Sequence, residues 1–127
     1  MTRQAIQTAD APAAIGPYSQ AIRAGGTLYL SGQIGLDPKT MQMVEGIEAQ
    51  AHQVFRNLRA VAAGAGCTPD DFTKLSILLV DLGDFAKVNE IMATYFKAPY
   101  PARSTYQVAA LPRGARIEVE AIAAIAS

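Results

Sequence analysis

A chain of 127 residues, 50% of them hydrophobic, can bury one core and is too short for two independent domains, so a single domain over residues 1–127 is expected. Eleven Lys+Arg balance eleven Asp+Glu and neither sign forms a run, which removes long-range steering onto nucleic acid. The lone Cys67 excludes an internal disulfide, the lone His52 leaves no cluster with metal-ligand spacing, and residues 1–14 lack the apolar run of a signal peptide or membrane span, so a soluble cytoplasmic protein without a metal is expected.

Tyr18 to Ala24 roughly alternates apolar and polar residues, Gly25-Gly26 suits a tight turn, and Leu28 to Ser31 resumes the extended pattern, which predicts a β-hairpin. Gly32 and Gly35 bracket Gln33-Ile34, the mark of a bulge or a close backbone approach, and a third extended segment over Gln33 to Leu36 is expected before the turn Asp37-Pro38-Lys39-Thr40. Ile47, Ala51, Val54, Phe55, Leu58, Val61 and Ala62 then recur at helical spacing, and Gly64 and Gly66 can end that helix in the left-handed conformation. Thr68-Pro69-Asp70-Asp71 has the form of a capped single turn.

Lys74 to Val80 is short and nearly continuously apolar, as in a central strand covered on both faces. Asp84 is placed to cap a second helix, Phe85 to Phe96, with Phe85, Val88, Met92 and Tyr95 on one face and Pro99 and Pro101 beyond its end. Two strands follow, Arg103 to Ala109 and Arg116 to Ile125, joined by Leu111 to Ala115. The order ββ(β)αβαββ is that of an α+β domain. Two helices cover one face of such a sheet, yet the later part of the last strand, Ala121 to Ala124, has no polar side, so a homo-oligomer is expected.

Few polar residues stand where convergence would need a reason. Arg103 follows Pro99-Tyr100-Pro101-Ala102 and opens a strand, so its planar fork can be held rigidly against a carboxylate, the alternative being a surface salt bridge. Glu118 and Glu120 share one strand face, where burial would raise a pKa and let one orient a water; the alternative is a solvated polar face. Tyr18 and Ser31 carry hydroxyls beside backbone-permissive residues, and Asn89 can cap a loop, point into a pocket or face solvent. His52 and Cys67 read as structural, and Gly32-Gln33-Ile34-Gly35 lacks the spacing of a phosphate loop, so no nucleotide cofactor is indicated.

Gly16-Pro17-Tyr18-Ser19-Gln20-Ala21, Ser31-Gly32-Gln33-Ile34, Asp84-Phe85 with Val88-Asn89, Pro101-Ala102-Arg103-Ser104, and Leu111-Pro112 through Ile117-Glu118-Val119-Glu120 together resemble the Rid (YjgF) family of enamine and imine deaminases. The likeness covers nearly the whole chain in matching order and spacing. It implies a chorismate-mutase-like fold, a mixed β-sheet with two helices on one face, assembled as a homotrimer with clefts between subunits. It implies hydrolysis of 2-imino acids such as 2-iminobutanoate and 2-iminopropanoate to 2-keto acids and ammonia, without a cofactor, which protects pyridoxal-phosphate enzymes from reactive metabolites. By resemblance Arg103 binds the substrate carboxylate, Glu118 holds the attacking water, and Tyr18, Ser31, Asn89 and Thr105 line the pocket. Glu120 matches a motif position without that role, and Tyr106 stands where a small aliphatic residue is usual. Facing a cleft, Tyr106 would narrow the accepted side chains; facing the core, it would alter packing only. A carboxylate-binding regulatory or holdase-like role without turnover is the alternative, and the neutral charge weighs against a ribonuclease or translation inhibitor.

Overall fold

The computed structural model describes residues 2–125, so positions 1, 126 and 127 of the expected 1–127 domain lie outside the described residues. Its strands are β1 (Arg3–Ile6), β2 (Ala21–Ala24), β3 (Thr27–Gln33), β4 (Phe72–Leu79), β5 (Ala102–Gln107) and β6 (Ile117–Ala124), and its helices are α1 (Ile47–Gly64) and α2 (Phe85–Met92). The six strands form one mixed sheet in the order β1-β2-β3-β6-β4-β5. All pairs are antiparallel except β4 with β5, the parallel pair that the α2 crossover joins.

Alternation decides which sheet face is covered. Leu28, Leu30, Leu75, Ile77, Leu79, Ile117, Val119 and Ala123 are buried in one cluster with Val54, Phe55, Leu58 and Val61 of α1 and with Val88, Ile91 and Met92 of α2. The opposite sheet face carries Tyr29, Ile122, Leu78 and Tyr106, and both tyrosines are at least half exposed in the single chain. Val80 lies past the end of β4, and the strand is central in the sheet but not covered on both faces: Leu75, Ile77 and Leu79 are buried, while Lys74, Ser76 and Leu78 stay partly exposed.

The hairpin of β2 and β3 forms as expected around a left-handed Gly25. The third early strand is not Gln33 to Leu36 but β1, whose Arg3, Gln4 and Ala5 are exposed and leave no hydrophobic period to read. Gln33 ends β3, and Leu36 makes only an isolated bridge with Met43. The buried Asn57 amide donates to the Leu36 carbonyl at 2.9 Å and to the Ile34 carbonyl at 3.3 Å, taking acceptors a ladder would use.

Helix α1 starts at Ile47 as its period predicts and is followed by a left-handed Gly66, whose neighbour Cys67 donates its amide to Ala62. Gly64 does not take that conformation. It stays helical, and a Cβ there would sit 3.2 Å from Ile6 Cγ2 of β1. Thr68 caps the single turn at Pro69–Asp71 with a reciprocal bond to Asp71, as its sequence predicts.

Helix α2 is shorter than Phe85 to Phe96. It stops at Met92, where the Thr94 hydroxyl donates to the Ile91 carbonyl at 2.6 Å and Tyr95 turns to share a 2.8 Å hydrogen bond with His52. Asp84 does not cap it: that carboxylate pairs with Arg116 at 2.9 Å, and Asp81 caps the preceding turn through the Gly83 amide. No described helix is long and apolar enough to cross a membrane.

Candidate active site

The pairing of β3 with β6 slips by one residue between Leu30 and Gln33, so Ser31 and Gly32 together face Glu120. This bulge returns Gln33 to the buried face and lays Gly32 under the side chain of Glu118. A Cβ on Gly32 would overlap the Glu118 carboxylate, so the missing side chain is the space the carboxylate occupies. Gly32→Ala is therefore expected to push the flexible Glu118 side chain aside into the cavity at little cost in stability, read as a denaturant midpoint close to that of the parent. A midpoint well below the parent's would show that the side chain cannot move.

Glu118 is half-buried, and burial first, the nearby Glu120 carboxylate second, pushes its pKa up from the ordinary glutamate value. The folded chain thus holds the proton more tightly than the unfolded one. The resulting stability is complete below the ordinary glutamate pKa and is lost as pH rises through the raised one. A carboxylate that is costly to keep ionised is a stronger base than one free in water.

Glu118 opens into a cavity of about 620 Å³ that Tyr18, Ser31, Met41 and Arg113 also line. The Ser31 hydroxyl is already engaged, donating to the Ser19 carbonyl at 2.6 Å, so it steadies the segment that carries Tyr18. Buried Gln20 ties down the preceding loop, accepting from the Thr8 amide at 2.7 Å and donating to the Pro12 carbonyl at 2.8 Å. Tyr18 itself is 53% exposed and stands at the opening.

Arg103 is held elsewhere. Its guanidinium lies over the Phe85 ring, 5.1 Å from the centroid, while Nη1 donates to Asn89 Oδ1 at 2.6 Å and contacts Met92 Sδ at 3.4 Å. Phe85, Asn89 and Met92 follow one another at four and three residues, so one face of α2 cradles the arginine. Among the described residues Arg103 has no acidic partner, which sets aside the surface salt bridge and leaves most of its fork free for an anion. Arg103, Asn89, Met92 and Tyr100 line a second cavity of about 360 Å³. Thr105, two residues on along β5, has a buried hydroxyl with no hydrogen-bond partner among the described residues.

The expected residues therefore form two groups rather than one. Arg103 registers with Leu75 on the helix-covered face, whereas Glu118 registers with Leu78 on the open face. Tyr18, Ser31 and Glu118 share one cavity, while Asn89 and Arg103 share another. Tyr106 registers with Leu78, so it lies on the open face, 55% exposed, and not in the core. Two contributors escape a reading by residue type, Gln20, which binds backbone groups, and Arg113, in the turn just before β6; Gly32, read as a close backbone approach, turns out to make room for Glu118. His52 is bonded to Tyr95, and burial pushes the Cys67 thiol up, so both fit structural roles.

The family model described as Endoribonuclease L-PSP matches residues 8–125. A mouse protein described as 2-iminobutanoate/2-iminopropanoate deaminase is 52% identical over 122 residues, covering 95% of this chain and 90% of its own. A human protein of the same description is 50% identical over 124 residues, covering 97% of this chain and 90% of its own. The crystal structure of a RidA from the Antarctic bacterium Psychrobacter superposes with a TM-score of 0.94 at 51% identity, covering 96% of this chain and 99% of that one.

Proposed function

The chain belongs to the Endoribonuclease L-PSP family, the Rid family of its sequence motifs, and from that premise we propose that it is a 2-imino acid deaminase. It hydrolyses reactive enamine and imine products such as 2-iminobutanoate and 2-iminopropanoate to 2-keto acids and ammonia, and so spares pyridoxal-phosphate enzymes in the cytoplasm. The observation that carries this reading is half identity over nearly the full length to proteins of that described activity.

In this reading the site is shared between subunits. Within one chain Arg103 and Glu118 occupy opposite sheet faces, so a small substrate reaches both only where the Arg103 cavity of one subunit meets the Glu118 cavity of the next. A homotrimer built through the open sheet face, with Tyr29, Ile122 and Tyr106 covered, supplies three such clefts. Arg103 grips the substrate carboxylate as a charge-assisted fork, and Asn89 keeps the guanidinium aimed. Thr105 offers its unpartnered hydroxyl, and Tyr18 and Ser31 shape the opposite wall.

Glu118 accepts a proton from water as the water oxygen bonds to the imine carbon. Glu118 passes that proton to the nitrogen, the added hydroxyl then gives up its own proton to the nitrogen as the C=O forms and the C–N bond breaks, and ammonia and the 2-keto acid leave with Glu118 in its ionised form. One water is consumed and no electrons are exchanged. Because imines hydrolyse unaided, one oriented base and one anchor are sufficient chemistry.

The direct test is release of ammonia and 2-ketobutanoate when a threonine dehydratase generates 2-iminobutanoate in the presence of the protein. Release faster than the uncatalysed rate is expected; an assembled protein that adds nothing would leave the carboxylate-binding role. A second check uses pH. Since Glu118 works ionised, activity rises with pH through its raised pKa, and Glu120→Gln, which removes the like charge, should move that acid limb lower. Glu120 is exposed, so the displacement should fade in high salt. A limb that stays fixed at low salt would show that burial alone governs Glu118.

A further inference from the structure

Among the described residues only Met41 and Arg113 hold a left-handed backbone without being glycine, at φ of 59° and 57°. Such positions are disfavoured by the Cβ and persist where the surroundings enforce them. The two lie 72 residues apart in the chain, yet Arg113 Nη2 donates to the Met41 carbonyl at 3.3 Å, and both line the cavity into which Glu118 opens.

Each partner is pinned on its own side. Met41 sits in the loop between β3 and α1, its amide bonded to the Asp37 carbonyl at 2.8 Å, while the Asp37 amide bonds to Gln42 across the same loop. Arg113 belongs to the turn Pro112–Gly114 that leads into β6, and Gly114 after it is left-handed too. The hydrogen bond thus joins the loop carrying a flexible apolar side chain to the strand carrying the base. The same cavity is lined by the apolar Ile15, Ile34, Leu36 and Pro112 as well as by Ser31, Glu118 and Glu120. The cavity measures about 620 Å³ in the single chain, before a neighbouring subunit closes over it, so the walls that this chain supplies help to decide what enters beside the carboxylate.

We propose that the Arg113–Met41 clasp sets the size of the substrate side chain, with Met41 as the movable wall and Arg113 as the residue that fixes it. The proposal rests on the deaminase reading of the same cavity. Arg113 does not touch the reacting atoms; it is a positioning residue that acts through Met41. Fixing the wall matters because one methylene in an apolar pocket is worth about 10- to 200-fold in discrimination.

The test compares kcat/KM for 2-imino-3-phenylpropanoate with that for 2-iminopropanoate, both generated in situ by an amino-acid oxidase. Arg113→Asn is the informative variant, because asparagine tolerates the left-handed turn but cannot reach Met41. It should raise the large-to-small ratio about tenfold. Met41→Ala should raise the ratio as well, and adding Arg113→Asn to it should change nothing more, since the side chain being positioned is gone. A ratio within twofold of the parent in Arg113→Asn, or an equal effect of that change with and without the Met41 side chain, would overturn the clasp while leaving the deaminase intact. A parent protein that accelerates neither imine would overturn the deaminase reading and the clasp with it.

Discussion

Glu118→Gln should lower kcat for 2-iminobutanoate by about 10²- to 10⁴-fold, the usual contribution of one positioned base, equivalent to roughly 3–5 kcal/mol of barrier. The amide keeps the shape of the side chain over Gly32 but cannot take a proton from water. KM should change little, because Arg103, the proposed carboxylate anchor, lies on the other sheet face of the chain. Stability should not fall: the native group is half-buried with a raised pKa, so its ionised form opposes folding at neutral pH and the amide does not. Loss of activity with a normal or higher denaturant midpoint is the expected pair. A kcat within threefold of the parent would remove Glu118 as the base.

Arg103→Ala should reduce kcat/KM by roughly 10- to 150-fold, corresponding to the 1.5–3 kcal/mol of hydrogen bonds to a charged group, and chiefly through KM. Arg103→Lys should recover only part, since an ammonium lacks the fork that matches a carboxylate. Neither change should unfold the chain, because Arg103 is exposed and its contacts to Phe85 and Asn89 are local. The decisive form of the experiment mixes two variants. Arg103→Ala and Glu118→Gln chains, denatured together and refolded in equal amounts, should regain about a quarter of the parent rate, since one interface in four then joins an intact Arg103 to an intact Glu118. If one chain held the complete site, the same mixture would recover nothing by exchange, and the shared-cleft reading would fail.

The two experiments separate what the side chains do from where they are. Arg103 is rigid because one face of α2 supplies a ring, an amide and a thioether at successive turns. Glu118 is basic because the bulge at Ser31 and Gly32 lets it fold down beside the strand instead of standing in water. Both arrangements follow from packing, and neither needs a group of unusual intrinsic reactivity.

Much of the fold was legible in the residues themselves. The three- and four-residue spacing from Ile47 onward set α1, and the glycine pair at 25 and 26 set the hairpin, because these are local preferences with strong periods. The bulge was signalled by Gly32, and the linked motifs from Gly16 to Glu120 carried the family and with it the deaminase reading. The last strand was equally plain from its sequence, and its alternate residues Ile117, Val119, Ala121 and Ala123 are buried.

Tertiary structure decided the rest. β1 has exposed residues at three of its four positions, so only its pairing with β2 makes it a strand. The end of α2 at Met92 depends on Tyr95 finding His52, 43 residues away, and the roles of Gln20 and Arg113 depend on backbone carbonyls that no side-chain pattern announces. Above all, the separation of Arg103 from Glu118 arises from register: an odd or even step along β5 and β6 chooses a face, and that choice becomes meaningful only when the strands are aligned through β4. Local sequence specifies the elements because their periods are local, whereas the faces on which chemistry appears are set by contacts between residues far apart in the chain.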